Sequence, residues 1–345
     1  MQPKETNPAA GPPQHTTIRR LKLIVSYAIA GACLAYVLYN VHPRRLLQNI
    51  LQLKWHFALL AIVADNANYV SQGVRWKLLL QPLASVRVIK AVQATYVALF
   101  TSNVLPMRFG EIVRAYLISK WYSKPIREIV PSMVIEHLFE GVWLAMGIIS
   151  ATMLLPTPRY LQRGAQVFGI GVVLLAALFF YALVRKEKVI EANPHEKLGE
   201  KLWHKVKAFV EHVAIGMRRI GLSTCFFMGL GVTLFSLFMQ ATALFFVAHA
   251  YGIPLVLWKA GVVLLIIRLG VVIPNAPANL GTYQFFAALG MQLLGVDRYT
   301  ATGFAITLFF VLMTPTWVTG FFALSESGTT LLRLHHEARD AAGVG

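Results

Sequence analysis

Arg108, Glu111 and Arg114 stand three residues apart in an otherwise apolar stretch. At 100° per residue on a helix they spread over about 120° of one face and point into one volume. Two guanidiniums flanking one carboxylate make a net positive site suited to a lipid phosphate, with Arg as bidentate donor and Glu111 steadying one of the two. The plainer reading is a helix at the cytoplasmic interface whose arginines snorkel. A second group, Glu136, His137 and Glu140, lies one turn into a long apolar run. Glu136 and Glu140 share a face at i, i+4, which makes them partners for Arg108 and Arg114 across a helix interface. Histidine changes charge near neutral pH, so a proton relay through His137 is a second role for the group. A zinc site needs three or four ligands, and no other His-containing cluster is spaced to complete one, so no metal or other cofactor is expected. Arg268, in the middle of another apolar run, faces either a carboxylate or a substrate phosphate. Asp65, Asn68 and Gln72 share one helix face and read as interhelical hydrogen bonding, while His249 and Trp258 read as anchors of helix ends.

The elements that must position these residues are membrane helices. Of 345 residues 57% are hydrophobic and 14% charged, where about 25% charged is usual for a soluble domain. That much apolar surface exceeds what one core can bury, so lipid is its solvent. The net charge of +17 comes from Lys and Arg in short blocks between apolar runs, the pattern of basic loops on an anionic cytoplasmic leaflet. No zinc finger or RNP-like motif supports nucleic acid as a partner. Cys33 and Cys225 both fall inside apolar stretches and offer no disulfide framework.

Apolar segments lie at about 21–39, 55–72, 89–107, 129–153, 165–184, 222–249, 256–273, 281–295 and 300–324. Two breaks resemble each other. Asn103, Pro106 and Gly110 end one segment, and Pro274, Pro277 and Gly281 separate two others; Pro106 and Pro277 each precede a Gly by four residues, 171 positions apart. Pro/Gly-interrupted apolar segments at corresponding places in two halves point to a transporter's central site.

Charge decides how these segments cross. Nine basic residues in 185–221 and four in 73–90 (Arg75, Lys77, Arg87, Lys90) mark both loops as cytoplasmic. They share a side only if 89–107 dips in, turns at Pro106 to Gly110 and returns through 111–119. The same parity makes 256–295 a hairpin entering from the opposite side, and leaves 24 basic residues inside against 7 outside. The expected fold is therefore an all-α, polytopic membrane protein with about six full spans and two re-entrant hairpins in a pseudo-inverted repeat. Residues 1–20 are expected to be a disordered cytoplasmic tail, 21–324 the membrane domain with 185–221 as its basic cytoplasmic loop, and 325–345 a cytoplasmic C-terminal tail.

Asn103-x-x-Pro106-x-Arg108-x-Gly110-Glu111-x-x-Arg114, then Ile135-Glu136-His137-Leu138-x-Glu140 and Pro274-x-x-Pro277-x-x-x-Gly281, resemble the lysylphosphatidylglycerol synthase transmembrane-region family. This is the flippase-like membrane domain of multiple peptide resistance factor proteins. The resemblance runs from about residue 20 to 330 and implies a helical domain with two re-entrant elements that moves a lipid between leaflets. The family often has Glu-Arg where this chain has Glu136-His137, and an Asp near Glu140. Nothing past Leu324 is long enough for the aminoacyl-transfer domain of the full-length synthases, so synthesis of lysyl-lipid is not expected.

The expected function is thus an inner-membrane lipid translocase, multi-pass with both termini cytoplasmic, rather than an enzyme. Its substrate would be a charged or polar-headed lipid: a phospholipid, a hopanoid or an isoprenoid lipid. Arg108, Glu111, Arg114 and Arg268 would bind it, supported by Glu136, His137 and Glu140. A scaffold for lipid-synthesis enzymes is the alternative. A lipid-linked sugar transferase is disfavoured because the aspartates, Asp65, Asp297 and Asp340, form no Asp-x-Asp pair.

Overall fold

A computed structural model of the chain describes residues 14–39, 48, 50–105, 109–154, 159–184, 214–272 and 276–328, together with 331, 334 and 337. In chain order its main helices are α1 (Gln14–Leu38), α2 (Trp55–Leu80), α3 (Val88–Val104), α4 (Gly110–Tyr122) and α5 (Ile126–Leu154). They continue with α6 (Arg159–Val184), α7 (Thr224–Ala250), α8 (Leu257–Gly270), α9 (Thr282–Leu293) and α10 (Arg298–Glu326). A 3₁₀ turn, Pro277–Asn279, links α8 to α9. The described residues contain no strand.

Length sorts the helices into two classes. Six have 25 to 29 residues, about 37–44 Å at 1.5 Å per residue and enough for a hydrocarbon core of about 30 Å. Within α5, α7 and α10, the stretches Ile126–Ala151, Thr224–Ala250 and Arg298–Glu326 are also apolar enough by composition to cross a membrane. The other four, α3, α4, α8 and α9, have 12 to 17 residues and reach only about 18–26 Å. These four are the arms of the two hairpins.

α2 and α7 form an antiparallel pair that fixes where the hairpins start. The Lys54 amide donates to the Ala250 carbonyl (3.0 Å), Ser236 Oγ to Asn68 Oδ1 (2.6 Å) and Arg75 Nη1 to Thr233 Oγ1 (3.4 Å), so the start of α2 meets the end of α7. The α2–α3 and α7–α8 connections therefore leave from opposite ends of the pair. The α3–α4 hairpin comes back to where it began: the Arg87 amide donates to Tyr122 Oη (2.9 Å), and Lys90 Nζ lies 4.7 Å from the centre of the Trp121 ring. In the second hairpin Gly270, beside the break, faces Phe286, and Gly290 faces Val263 nearer the start of α8. Each hairpin thus enters and leaves on one face, and the two use opposite faces. α10 returns the chain to the first face, where Gln93 Nε2 donates to the Ala323 carbonyl (3.1 Å).

Several boundaries differ from the expectation. α2 runs on to Leu80 and takes in Arg75, which is 2% exposed, so Arg75 is a core residue and not part of a cytoplasmic loop. The charge is held there because buried carboxylates meet it. α1 begins at Gln14, so residues 14–20 of the expected tail are helical. A helix that spans the core continues into the wet interface while its backbone bonds remain available. At the other end, Leu334 is fully buried in a cluster with Val113, Ile118 and Leu324, and Glu337 Oε2 accepts from Tyr116 Oη (2.6 Å) and Lys120 Nζ (2.9 Å). Part of the expected C-terminal tail is therefore docked on α4. Pro106, Arg108 and Pro274 lie outside the described residues.

Gly110 and Gly281 allow close backbone packing at the starts of α4 and α9. A Cβ on Gly110 would overlap the Ala98 carbonyl oxygen and Ser102 Oγ of α3, so the absence of a side chain lets α4 start against the α3 backbone. Gly281 has φ +85°, and a Cβ there would overlap the Ala30 carbonyl oxygen of α1. Positive φ costs an ordinary residue roughly 1–2 kcal/mol before the overlap is counted.

Two outcomes follow from this architecture. With Cys33 and Cys225 removed, single cysteines at Ser85 and Ser123 should label from one face of sealed vesicles, and those at Val256 and Leu293 from the other. Labelling of Ser85 and Ser123 from opposite faces would mean that α3–α4 crosses fully. Replacing Gly110 or Gly281 by Leu should lower the thermal midpoint of the purified protein sharply, because the obstacle in each case is backbone. An unchanged midpoint would show that the hairpins are not packed this closely.

Candidate functional site

The polar residues gather where the two breaks meet. A cavity of about 280 Å³ lies between the end of α3, the start of α4 and the 276–279 segment, walled by α2, α5, α7, α8 and α9. Asn103, Glu111 and Arg114 of the first hairpin line it, as do Pro277, Asn279 and Arg268 of the second. Glu136, His137 and Glu140 of α5 and Arg75 of α2 complete its charged wall. At about 30 Å³ per water it holds roughly nine waters. That is room for a small polar group.

Glu136, 2% exposed, sits between two guanidiniums. Arg75 donates to Glu136 Oε1 through Nε (3.1 Å) and Nη2 (2.5 Å), and Arg114 pairs with Glu136 Oε2. The same Arg75 Nη2 reaches Glu140 Oε1 (2.8 Å), which ties the two carboxylates of α5 to one cation of α2. The Arg114 guanidinium also lies 4.4 Å from the Trp76 ring centre, and Trp76 Nε1 donates to Ser132 Oγ (3.1 Å). Stacking of this kind suits Arg, whose weakly hydrated plane packs on aromatic faces. Arg114 Nε is buried with no hydrogen-bond partner among the described residues.

Exposure rises toward the cavity, and with it freedom to meet a ligand. Arg268 and Glu140 are about a quarter exposed and are 3.7 Å apart, looser than the deeper pairs. Arg268 is steadied instead by Gln240, whose Oε1 accepts from Nε (3.1 Å) and Nη2 (2.7 Å). Glu111 and His137, each about half exposed, are joined at 3.2 Å. Among the described residues three arginines, three glutamates and His137 line the cavity, and Arg108, the other cation of the expected positive group, lies outside the described residues.

The expected residues are thus partly regrouped. Arg114 does meet Glu136 across the α4–α5 interface, but Glu140 goes to Arg75 and Arg268, and Glu111 goes to His137. Gly110 and Gly281 do not line the cavity; they serve backbone packing on α3 and α1. Arg75 and Gln240 were not expected. Their signal was a continued stripe: Arg75 extends the spacing of Asp65, Asn68 and Gln72, and Gln240 extends that of Thr233 and Ser236 on the antiparallel partner α7. Each lies three or four residues from the last member of its stripe.

Removing one partner from a buried ion pair costs about 3–5 kcal/mol, because the other charge is left without compensation. Arg75→Met should therefore lower stability by about that amount in a denaturation series. Adding Glu140→Gln should recover part of the loss, since Glu136 keeps Arg114 while the second stranded carboxylate is gone. A double variant no more stable than the single one would show that Arg75 does not neutralise Glu140.

The sequence model of the family described as "Lysylphosphatidylglycerol synthase TM region" matches residues 23–320. No curated protein and no solved structure matches the chain.

Proposed function

The chain belongs to the lysylphosphatidylglycerol synthase TM-region family, a family of membrane domains linked to lipid synthesis and flipping, and from that premise we propose that it translocates a phosphate-bearing lipid between leaflets. The observation that carries the reading is the charged cavity at the meeting point of two hairpins that start from opposite faces. Broken helices of this kind commonly surround transporter sites, because irregular backbone at membrane depth is tolerated where it lines a polar cavity. A head group entering the cavity is closed off from each face by one hairpin. A small movement of either hairpin opens the site to one side.

Arg268 is the residue we assign to the phosphate. Arg75 and Arg114 are committed to Glu136, whereas Arg268 holds Glu140 only at 3.7 Å and is partly exposed. A phosphate can displace Glu140 from it and gain a forked pair of hydrogen bonds. Glu140 then remains neutralised by Arg75. Arg75, Glu136 and Arg114 act as a fixed frame for this exchange. We assign the protein no bond-making step.

We place the protein in the inner membrane with the face carrying Ser85, Ser123 and the ends of α6 and α10 in the cytoplasm. With Arg75 and Arg114 taken out of the count, 22 basic residues fall on the cytoplasmic side against 7 outside, the asymmetry of the positive-inside rule.

The test is a leaflet-extraction assay with a fluorescent phospholipid in vesicles containing the purified protein. The wild type should equilibrate the label faster than empty vesicles do. Hydrogen bonds to charged groups are worth about 1.5–3 kcal/mol, so Arg268→Gln should slow equilibration on the order of 10- to 100-fold with the fold intact. A wild type no faster than lipid alone, or an Arg268→Gln variant as fast as wild type, overturns the assignment.

A further inference from the structure

Asp65 is the buried charge that the head-group site leaves unused. It lies 11 residues into the 26-residue α2 and is 3% exposed. No ion pair reaches it among the described residues, in contrast to Glu136 and Glu140. An acidic residue at membrane depth without a cation needs another way to balance its charge, and residues so placed commonly carry protons in pumps and transporters. The groups facing it come from several helices: Asn68 and Tyr69 of α2, Tyr96 of α3, Arg268 of α8 and Tyr283 of α9. From α7 the neutral Ser236 donates to Asn68, and from α10 the neutral Thr316 meets Tyr69.

A second observation points the same way. Asn68 is fully buried, its Oδ1 already accepts from Ser236 Oγ (2.6 Å) and Gln72 Nε2 (3.1 Å), and its Nδ2, with no partner in close hydrogen-bond range, is the side-chain donor beside the Asp65 carboxyl. Asp65 thus has an amide donor beside it and no ion pair among the described residues. A metal cation would want oxygen acceptors there, and the acceptor of Asn68 is taken. One amide donor does not neutralise a carboxylate, and a carboxyl held 3% exposed at membrane depth with no ion-pair partner among the described residues is balanced by a proton. Tyr69, one turn from Asp65 on α2, and Tyr283 line the cavity, and both are within electrostatic reach of Asp65.

We propose that Asp65 is a proton site coupled to the head-group site through Arg268. Arg268 has Glu140 at 3.7 Å and lies within electrostatic reach of Asp65. When Asp65 carries its proton, Arg268 stays with Glu140 and Gln240 and faces the cavity. When the proton leaves to cavity water, the new carboxylate draws the guanidinium away from the phosphate position. Proton occupancy and phosphate binding therefore bias one another, and by linkage each must change the affinity for the other. The proton taken up from one aqueous face is released to the other, so lipid movement is linked to proton movement.

This rests on the translocase reading, and the test separates the two. The wild-type protein is placed in vesicles with a trapped pH-sensitive dye, and a fluorescent phospholipid is followed by leaflet extraction with and without a pH difference of about one unit, which is about a tenfold ratio in proton activity. The expected result is a leaflet imbalance approaching that ratio, accompanied by dye-reported proton flux. Asp65→Asn should lose both while still exchanging lipid at equal pH, and Asp65→Glu should retain them. Lipid exchange in the wild type with no imbalance and no proton flux overturns the proton site but leaves the translocase. An imbalance that follows a sodium gradient and ignores pH overturns it too. The wild-type measurements decide the matter even if Asp65→Asn does not fold. Absence of lipid exchange in the wild type overturns the translocase and the coupling together.

Discussion

Glu136 holds the polar interior together. It is a nearly inaccessible carboxylate in a long apolar helix, and it is tolerable there because Arg75 from α2 and Arg114 from α4 meet its two oxygens. Each arginine is in turn tolerable only because of Glu136. The result is that α2, the first hairpin and α5 are fixed relative to one another by charge as well as by packing. Arg75 extends the tie to Glu140, and Glu140 to Arg268 of the second hairpin. Pairs buried this deeply add little net stability compared with apolar residues of the same shape, but they penalise any arrangement that separates them. They act as a specification of geometry.

That geometry solves a problem set by lipid. A helix that stops halfway leaves backbone carbonyls and amides that no water in the hydrocarbon can satisfy. Here the ends of both hairpins adjoin one polar cavity and one another, so the breaks share what water the cavity holds. Glycines make the close approaches: Gly110 sets α4 against α3, Gly270 and Gly290 set α8 against α9, and Gly281 sets the start of α9 against α1. Cavity, breaks and ion pairs are therefore parts of one solution, and removing any one exposes the others to lipid.

The exposure of the charges also divides their tasks. The deep set, Arg75, Glu136 and Arg114, is almost inaccessible and paired within itself, although Arg114 Nε has no hydrogen-bond partner among the described residues. The shallow set, Arg268, Glu140, Glu111 and His137, is looser and reaches the cavity. The translocase we propose would bind a head group and then let go of it, which needs charges whose partners are replaceable, and the second set has looser pairs. Asp65 lies behind this set with no ion-pair partner among the described residues, close enough to Arg268 to influence it.

Composition and charge placement were enough to read a polytopic membrane protein, because an excess of apolar residues cannot be hidden in one core and basic blocks respect the membrane's two sides. The two hairpins were legible from the Pro/Gly breaks and from loop parity, both of which are local features. The motif residues Glu111, Arg114, Glu136, His137, Glu140 and Arg268 were also legible as a set, since ionisable residues are conspicuous in apolar runs. Who pairs with whom was decided only by the tertiary structure. Arg75 looked like a loop charge beside Lys77, and nothing in its own segment announces that α5 presents two carboxylates at its level. Ion-pair partners 61 and 65 residues away along the chain are set by helix register and tilt, and those depend on packing across the whole bundle. The roles of Gly110 and Gly281 were hidden for the same reason: sequence shows that a side chain is missing, and only the folded neighbours show which backbone fills the space.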